Sequence, residues 1–162
     1  MKKTEKLDKT DFKILKELQH DGRISNLDLA QKVGLSATPT FERVKKLEKA
    51  KIIKSYHAEV DVESLGMGIQ TFMLVSLAQT KGNAVPSFIK QILEIPEIIE
   101  CYHCTGSSDY ILKIMVPNIA AYENLAMDKI RNISEISNVT TMVILSTIKK
   151  SKVAPLDYEM EN

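Results

Sequence analysis

Residues 21–57 read DGRISNLDLAQKVGLSATPTFERVKKLEKAKIIKSYH, and they decide the fold of the N-terminal third. Asp21-Gly22 ends a preceding helix. Ser25-Asn26-Leu27-Asp28 has the spacing of a capping box with Asp in place of Glu, so a second helix is expected to open there and run through Val33. Gly34 stands where a tight turn wants left-handed backbone. Ser36 is placed to cap a third helix, and Pro39 falls in its first turn, where a missing N–H costs little. Upstream, residues 7–20 form an amphipathic helical pattern with Asp8 as cap and Phe12, Ile14, Leu15 and Leu18 as its apolar stripe.

The third helix divides by angle. At about 100° per residue, Thr40, Val44, Leu47 and Lys51 cluster on one side, with Ala37 nearby. Thr38, Pro39, Glu42, Lys45, Lys46 and Lys49 share the other side, and Phe41 lies at the border. Two short helices joined by a tight turn, the second basic where it cannot be core, form the local pattern of a helix-turn-helix entering the DNA major groove. The candidate DNA contacts are Ser36, Thr38, Pro39, Phe41, Glu42, Arg43, Lys45, Lys46 and Lys49. The lysines suit phosphates. Arg43, the only arginine on this helix, projects to the flank, which favours a phosphate or an ion pair with Glu48 or Asp28 over guanine readout. Glu42 is suited either to accept from cytosine N4 or to repel wrong sites.

Charge separates the two ends of the chain. Residues 1–57 hold 14 Lys/Arg against 8 Asp/Glu, or +6, whereas residues 58–162 hold 8 against 13, or −5. A basic third joined to an acidic remainder suggests that one part meets polyanion and the other does something else. At 162 residues the chain has room for two small domains. No apolar window of about 18 residues occurs, so no membrane span is expected. The start MKKTEKLDKT lacks the apolar middle of a secretion signal, and the cytoplasm is the expected compartment. Cys101-x-x-Cys104 falls in a strand-like run with no second Cys/His pair at zinc spacing, which reads as two reduced thiols rather than a metal site.

Beyond the hinge-like residues 52–68, strand and helix patterns alternate. Residues 70–79, 98–105, 110–116 and 138–148 read as strands, and residues 84–93 and 119–133 as helices. The order is β-α-β-β-α-β, a split βαβ sandwich with both helices on one face of a four-stranded sheet. The strands are nonetheless apolar on both faces: Phe72 and Leu74 on one side of the first, Met73, Val75 and Leu77 on the other. An antiparallel sheet with a wet face alternates apolar and polar. The open face therefore needs a cover, and a second copy of the chain is the expected one. The turn Thr105-Gly106-Ser107-Ser108-Asp109-Tyr110 offers hydroxyls, a glycine and a carboxylate suited to an ammonium group; it also suits a plain hairpin.

These motifs together resemble the Lrp/AsnC, or feast/famine, family of transcription regulators. The resemblance rests on Leu7-Asp8-x-x-Asp11-x-x-Ile14-Leu15-x-x-Leu18, Gly22-Arg23-x-Ser25-Asn26-x-x-Leu29-Ala30, Leu35-Ser36, Arg43-Val44-Lys45-Lys46-Leu47-Glu48, Ile53-x-x-Tyr56 and Gly106-x-x-Asp109-Tyr110. It implies an α+β chain: a winged helix-turn-helix over 1–57, a hinge strand over 58–69, a ferredoxin-like βαββαβ effector and dimerisation domain over 70–150, and a tail over 151–162. It further implies dimers, commonly assembled into octamers, that bind double-stranded DNA and a small effector, usually an amino acid. The effector would sit near Thr105, Gly106, Ser107, Ser108, Asp109 and Tyr110, with Leu77, Gln79, Thr140 and Thr141 as further lining. Lys51 stands where the family usually has Gly, so either an unusual backbone angle there or a helix that runs on a little before the wing is expected. No cofactor, metal or catalytic residue is expected, since neither a nucleophile nor paired carboxylates occur in a supporting pattern. The alternative is an architectural DNA-binding protein with little sequence choice and no ligand.

Overall fold

The computed structural model describes residues 7–78 and 82–156. The chain divides into two compact units, the first comprising residues 1–59 and 149–162 and the second residues 60–148.

The first unit is built on α1 (Lys9–His20), α2 (Asn26–Val33) and α3 (Ala37–Lys49). Asp8 caps α1 by accepting from the Asp11 amide at 2.8 Å, while the Asp11 carboxylate accepts from the Asp8 amide at 3.1 Å. Ser25 caps α2 through the Asp28 amide, and Gly34 closes that helix at φ 77°. Ile14, Leu29, Val33 and Leu47 form the core, ringed by Leu7, Leu15, Leu18, Ile24, Leu35, Val44 and Ile53. After α3 the chain reverses through Lys51 at φ 60°, an unusual left-handed angle for a residue with a Cβ. The reversal lets the Ile52 and Ile53 amides return to the Leu47 carbonyl at 3.0 and 3.3 Å.

Residues 50–68 form no strand, which corrects the hinge strand expected over 58–69. Extended chain becomes strand only with a ladder partner, and no ladder forms here among the described residues. Residues 62–66 instead make a turn, with the Met67 amide on the Val62 carbonyl at 2.9 Å and Ser64 hydrogen-bonded to Asp61. The tail also differs from its reading as a separate piece. Ala154 donates its amide to Gln19 Oε1 at 2.7 Å, and Gln19 Nε2 donates back to the Ala154 carbonyl at 3.4 Å. Lys150 and Lys152 reach Glu59 at 3.1 and 3.7 Å. The first unit is therefore discontinuous in sequence.

The second unit runs β1 (Ile69–Leu77), α4 (Ala84–Leu93), β2 (Ile98–His103), β3 (Tyr110–Val116), α5 (Ile119–Asn124), a π-helical turn (Leu125–Ile130) and β4 (Ile136–Val143). The strands lie in the order β2-β3-β1-β4, every pairing antiparallel. β1 and β3 alternate buried and half-buried residues along their length. Met73, Val75, Leu77, Leu112, Ile114 and Val116 turn to one face, where Phe88 and Ile92 of α4 and Leu125 and Ile130 of the π turn complete the core. The other face carries Phe72 opposite Lys113 and Met142, and Leu74 opposite Ile111 and Thr140. Neither helix covers it. Several bounds move inward: β1 stops at Leu77 rather than 79, β2 at His103 rather than 105 and β4 at Val143 rather than 148, and the helix expected over 119–133 breaks at Leu125.

Candidate DNA-binding surface and effector turn

α3 is fixed on α2 by Asn26 Nδ2, which donates to the Ala37 carbonyl at 2.8 Å. Its inner side is closed by buried Thr40 and Leu47, and the Thr40 hydroxyl folds back onto the Ser36 carbonyl at 2.9 Å. Ser36 holds the extended cap conformation, yet its hydroxyl makes no capping hydrogen bond. Ser36, Thr38, Pro39, Phe41, Glu42, Lys45, Lys46 and Lys49 are all exposed along the outer side. The Lys45 ammonium lies 4.6 Å from the centroid of the Phe41 ring, a cation–π contact.

Arg43 behaves differently. Its Nη1 donates to Asp8 Oδ2 and to Asp11 Oδ1, both at 2.7 Å, so its partners are two aspartates of α1 rather than the expected Glu48 or Asp28. Asp11 is 4% exposed, which makes this clasp the polar counterpart of the small apolar core. The hydrogen bonds it donates to Asp11 and then Asp8 push the guanidinium still higher in pKa. Partial burial would raise Asp8, but the Asp11 amide and the Arg43 guanidinium outweigh it and hold that carboxyl below its ordinary value. The sequence reading missed this pairing. The Asp-x-x-Asp spacing signals the reciprocal cap, whereas nothing local links it to a residue 32 positions later.

In the second unit, Gly106 holds φ at 128°, which lets residues 104–109 reverse tightly. Thr105, Gly106 and Ser107 are exposed; Ser108 and Asp109 are half-buried. Asp109 ties the turn to the sheet. Its Oδ2 accepts from the Leu77 amide at 2.8 Å, its own amide donates to the Val75 carbonyl at 2.9 Å, and its carbonyl accepts from the Cys104 amide at 3.0 Å. The carboxylate thus carries the β1–β3 pairing, whose ladder ends at Val75 opposite Tyr110, on to the next inward-facing amide of β1.

Of the other expected effector residues, Leu77 and Tyr110 adjoin the turn but direct their side chains into the core. The Tyr110 ring is buried between Phe88 and His103, at centroid distances of 4.8 and 5.0 Å, and the Leu77 side chain also belongs to the core. These two positions are packing residues, because the alternation of β1 and β3 turns them toward the helices. Thr140 and Thr141, as successive strand residues, point to opposite faces. Thr141 hydrogen-bonds the Tyr122 hydroxyl and lines a recess of about 600 Å³ with Met73, Val139, Glu123, Ile130 and Arg131. Gln79 lies outside the described residues. Cys101 and Cys104 are free thiols, and burial pushes Cys101 up in pKa. Among the described residues no three His, Cys, Asp or Glu side chains group as metal ligands, and no helix is long and apolar enough to cross a membrane.

Comparison with known proteins matches both units. Residues 7–54 fit a winged helix-turn-helix DNA-binding model, and residues 70–154 fit the Lrp/AsnC ligand binding domain. The transcriptional regulator AzlB of Bacillus subtilis is 38% identical over 151 residues, spanning 93% of this chain and 96% of its own. The leucine-responsive regulatory protein of Escherichia coli K12 is 35% identical, spanning 90% and 88%. A Neisseria meningitidis transcriptional regulator solved as an L-Met complex superposes with a TM-score of 0.91 at 32% identity, covering 95% of this chain and 99% of that one.

Proposed function

The chain belongs to the Lrp/AsnC family of transcriptional regulators, and from that premise we propose that an amino-acid effector tunes how its oligomers bind DNA. One observation carries the reading. A helix-turn-helix unit exposing Lys45, Lys46 and Lys49 shares a chain with a ligand-domain unit whose 105–109 turn leaves hydroxyls open beside a carboxylate. Two relatives are named for leucine response and for an L-Met complex, which supports an amino acid as the effector class. In this reading Ser36, Thr38, Pro39, Phe41, Glu42, Lys45, Lys46 and Lys49 face the groove and its phosphates, while Thr105, Gly106, Ser107, Ser108 and Asp109 meet the effector. The uncovered sheet face pairs two copies, the dimers assemble further toward octamers, and the protein works in the cytoplasm. Coupling of about 1–3 kcal/mol retunes occupancy rather than abolishing it.

A second reading draws support from the Arg43 clasp. With that guanidinium held by Asp8 and Asp11, α3 offers phosphate-binding lysines and little bidentate base readout, as an architectural DNA-binding protein would. Fluorescence anisotropy on DNA from upstream of the protein's own gene separates the two. Binding that survives random competitor DNA and shifts when the twenty amino acids are added supports the regulator. Binding that random DNA removes equally, with no shift, supports the architectural protein.

A further inference from the structure

We propose that Phe41 is a sequence-reading residue of α3, recognising the 5-methyl group of thymine in the major groove. The assignment rests on the DNA-binding reading above and names the base class to which that surface responds. It begins with elimination. Guanine is read by arginine or lysine, but only the planar arginine fork reads it with fixed bidentate geometry, and the chain has three arginines, Arg23, Arg43 and Arg131. Arg131 belongs to the other unit, and Arg23 precedes α2. Arg43, the only one on α3, gives Nη1 to two carboxylates at 2.7 Å. The outer side of α3 is thereby left with hydroxyl, carboxylate and ammonium groups and one large apolar side chain.

That side chain is Phe41, which stays 45% exposed although the core of its own unit lies on the same helix. A Phe ring held in water wastes apolar area unless something comes to cover it. Its neighbour identifies the cover. Lys45, one helical turn on, places its ammonium 4.6 Å over the ring. This contact fixes the ring on the helix surface and sets a phosphate-seeking cation beside it. A lysine-flanked ring delivered to the major groove meets one apolar group among the base edges there, the thymine methyl. Glu42, next along the helix, accepts from cytosine and repels phosphate, so it cannot substitute for that contact.

The test starts by selecting duplexes from a random pool with the full-length protein at fixed salt. The best-bound duplex is then synthesised with thymidine and again with deoxyuridine, which keeps every hydrogen bond and removes only the methyl. Wild type is expected to lose about fourfold in affinity for each contacted methyl. Phe41→Ala is expected to bind thymidine DNA at that weaker level and to ignore the replacement. Phe41→Leu is expected to keep part of the discrimination, and melting curves confirm that both variants are folded. Equal loss on deoxyuridine in wild type and Phe41→Ala overturns the assignment, as does a wild type indifferent to the methyl. Binding to no duplex, even at low salt, overturns the DNA-binding reading and the assignment with it. Binding without enrichment from the pool overturns the assignment alone.

Discussion

Lys51 holds a backbone angle that costs a residue with a Cβ roughly 1–2 kcal/mol. Lys51→Gly is therefore expected to stabilise the chain by about 1 kcal/mol, less the entropy that glycine adds to the unfolded state. A urea midpoint that falls instead would show that the lysine makes a compensating contact. Arg43 is constrained by charge rather than by backbone. Replacing it with Met leaves the buried Asp11 carboxylate uncompensated, and about 2 kcal/mol of stability is expected to go. The clasp also sets an acid limit. Because the folded pKa of Asp8 lies below its unfolded one, its contribution is complete above about pH 4 and is lost as the pH falls through the folded value. Melting temperatures between pH 6 and 3 should fall less steeply in Arg43→Met than in wild type; parallel slopes would assign acid sensitivity elsewhere. Asp109 has two separable duties, acceptor for the Leu77 amide and negative charge beside the turn. Asp109→Asn preserves an acceptor oxygen, so it is expected to keep the fold and lose the effector response, whereas Asp109→Ala weakens both. A response intact in Asp109→Asn would confine the residue to turn geometry.

Among the elements, the tail makes the least expected contribution. Its contacts to Gln19 and Glu59 are exposed and screened by solvent, so a chain ending at residue 148 is expected to lose little stability in the DNA-binding unit. Amide exchange locates that loss: faster exchange confined to the C-terminal turn of α1, with β1 and β3 unchanged, is the expected pattern. Uniform acceleration would mean that the tail braces something else. The same contrast explains what could be read from residue order. α1 and α2 carry their boundaries in local chemistry, with Asp8, Ser25 and Gly34 each acting within a few positions. The strand faces were legible for the same reason, since alternation is a local property. The π turn was not. Leu125 and Ile130 are both buried, yet at about 100° per residue they would sit 140° apart on an α-helix, and widening the turn brings both onto the sheet. That demand comes from the sheet, not from residues 119–133. The candidate site divides likewise: the exposed side of α3 follows from its period, while the Arg43 clasp, the Asp109 tie and the burial of Tyr110 exist only once distant segments meet.

At the scale of the whole molecule, the second unit should be the part that assembles. Its core residues all lie within residues 60–148, so it does not depend on the first unit for its interior. Its uncovered face presents Phe72, Leu74, Ile111 and Met142, and across it Lys113 pairs with Glu100 at 3.0 Å. This ion pair matters for what can cover the face. A lone lysine among apolar side chains would resist burial, but one already paired carries little uncompensated charge into an interface. Two such faces can meet with an apolar centre and self-satisfied polar groups, the anatomy of a homodimer interface. A fragment of residues 60–148 is therefore expected to sediment as a dimer at micromolar concentration. Leu74→Glu, which places a charge on the face without touching the helix-side core, is expected to yield a monomer with unchanged far-ultraviolet dichroism. Within the full-length chain the same substitution should uncouple two recognition helices that a dimer would set about one DNA turn apart. Affinity for a two-half-site duplex should then fall to that for a single half-site, while the salt slope per bound chain stays as it was. A folded but monomeric wild-type fragment would refute this account of the sheet face, and the two recognition helices would have to be paired by some other surface.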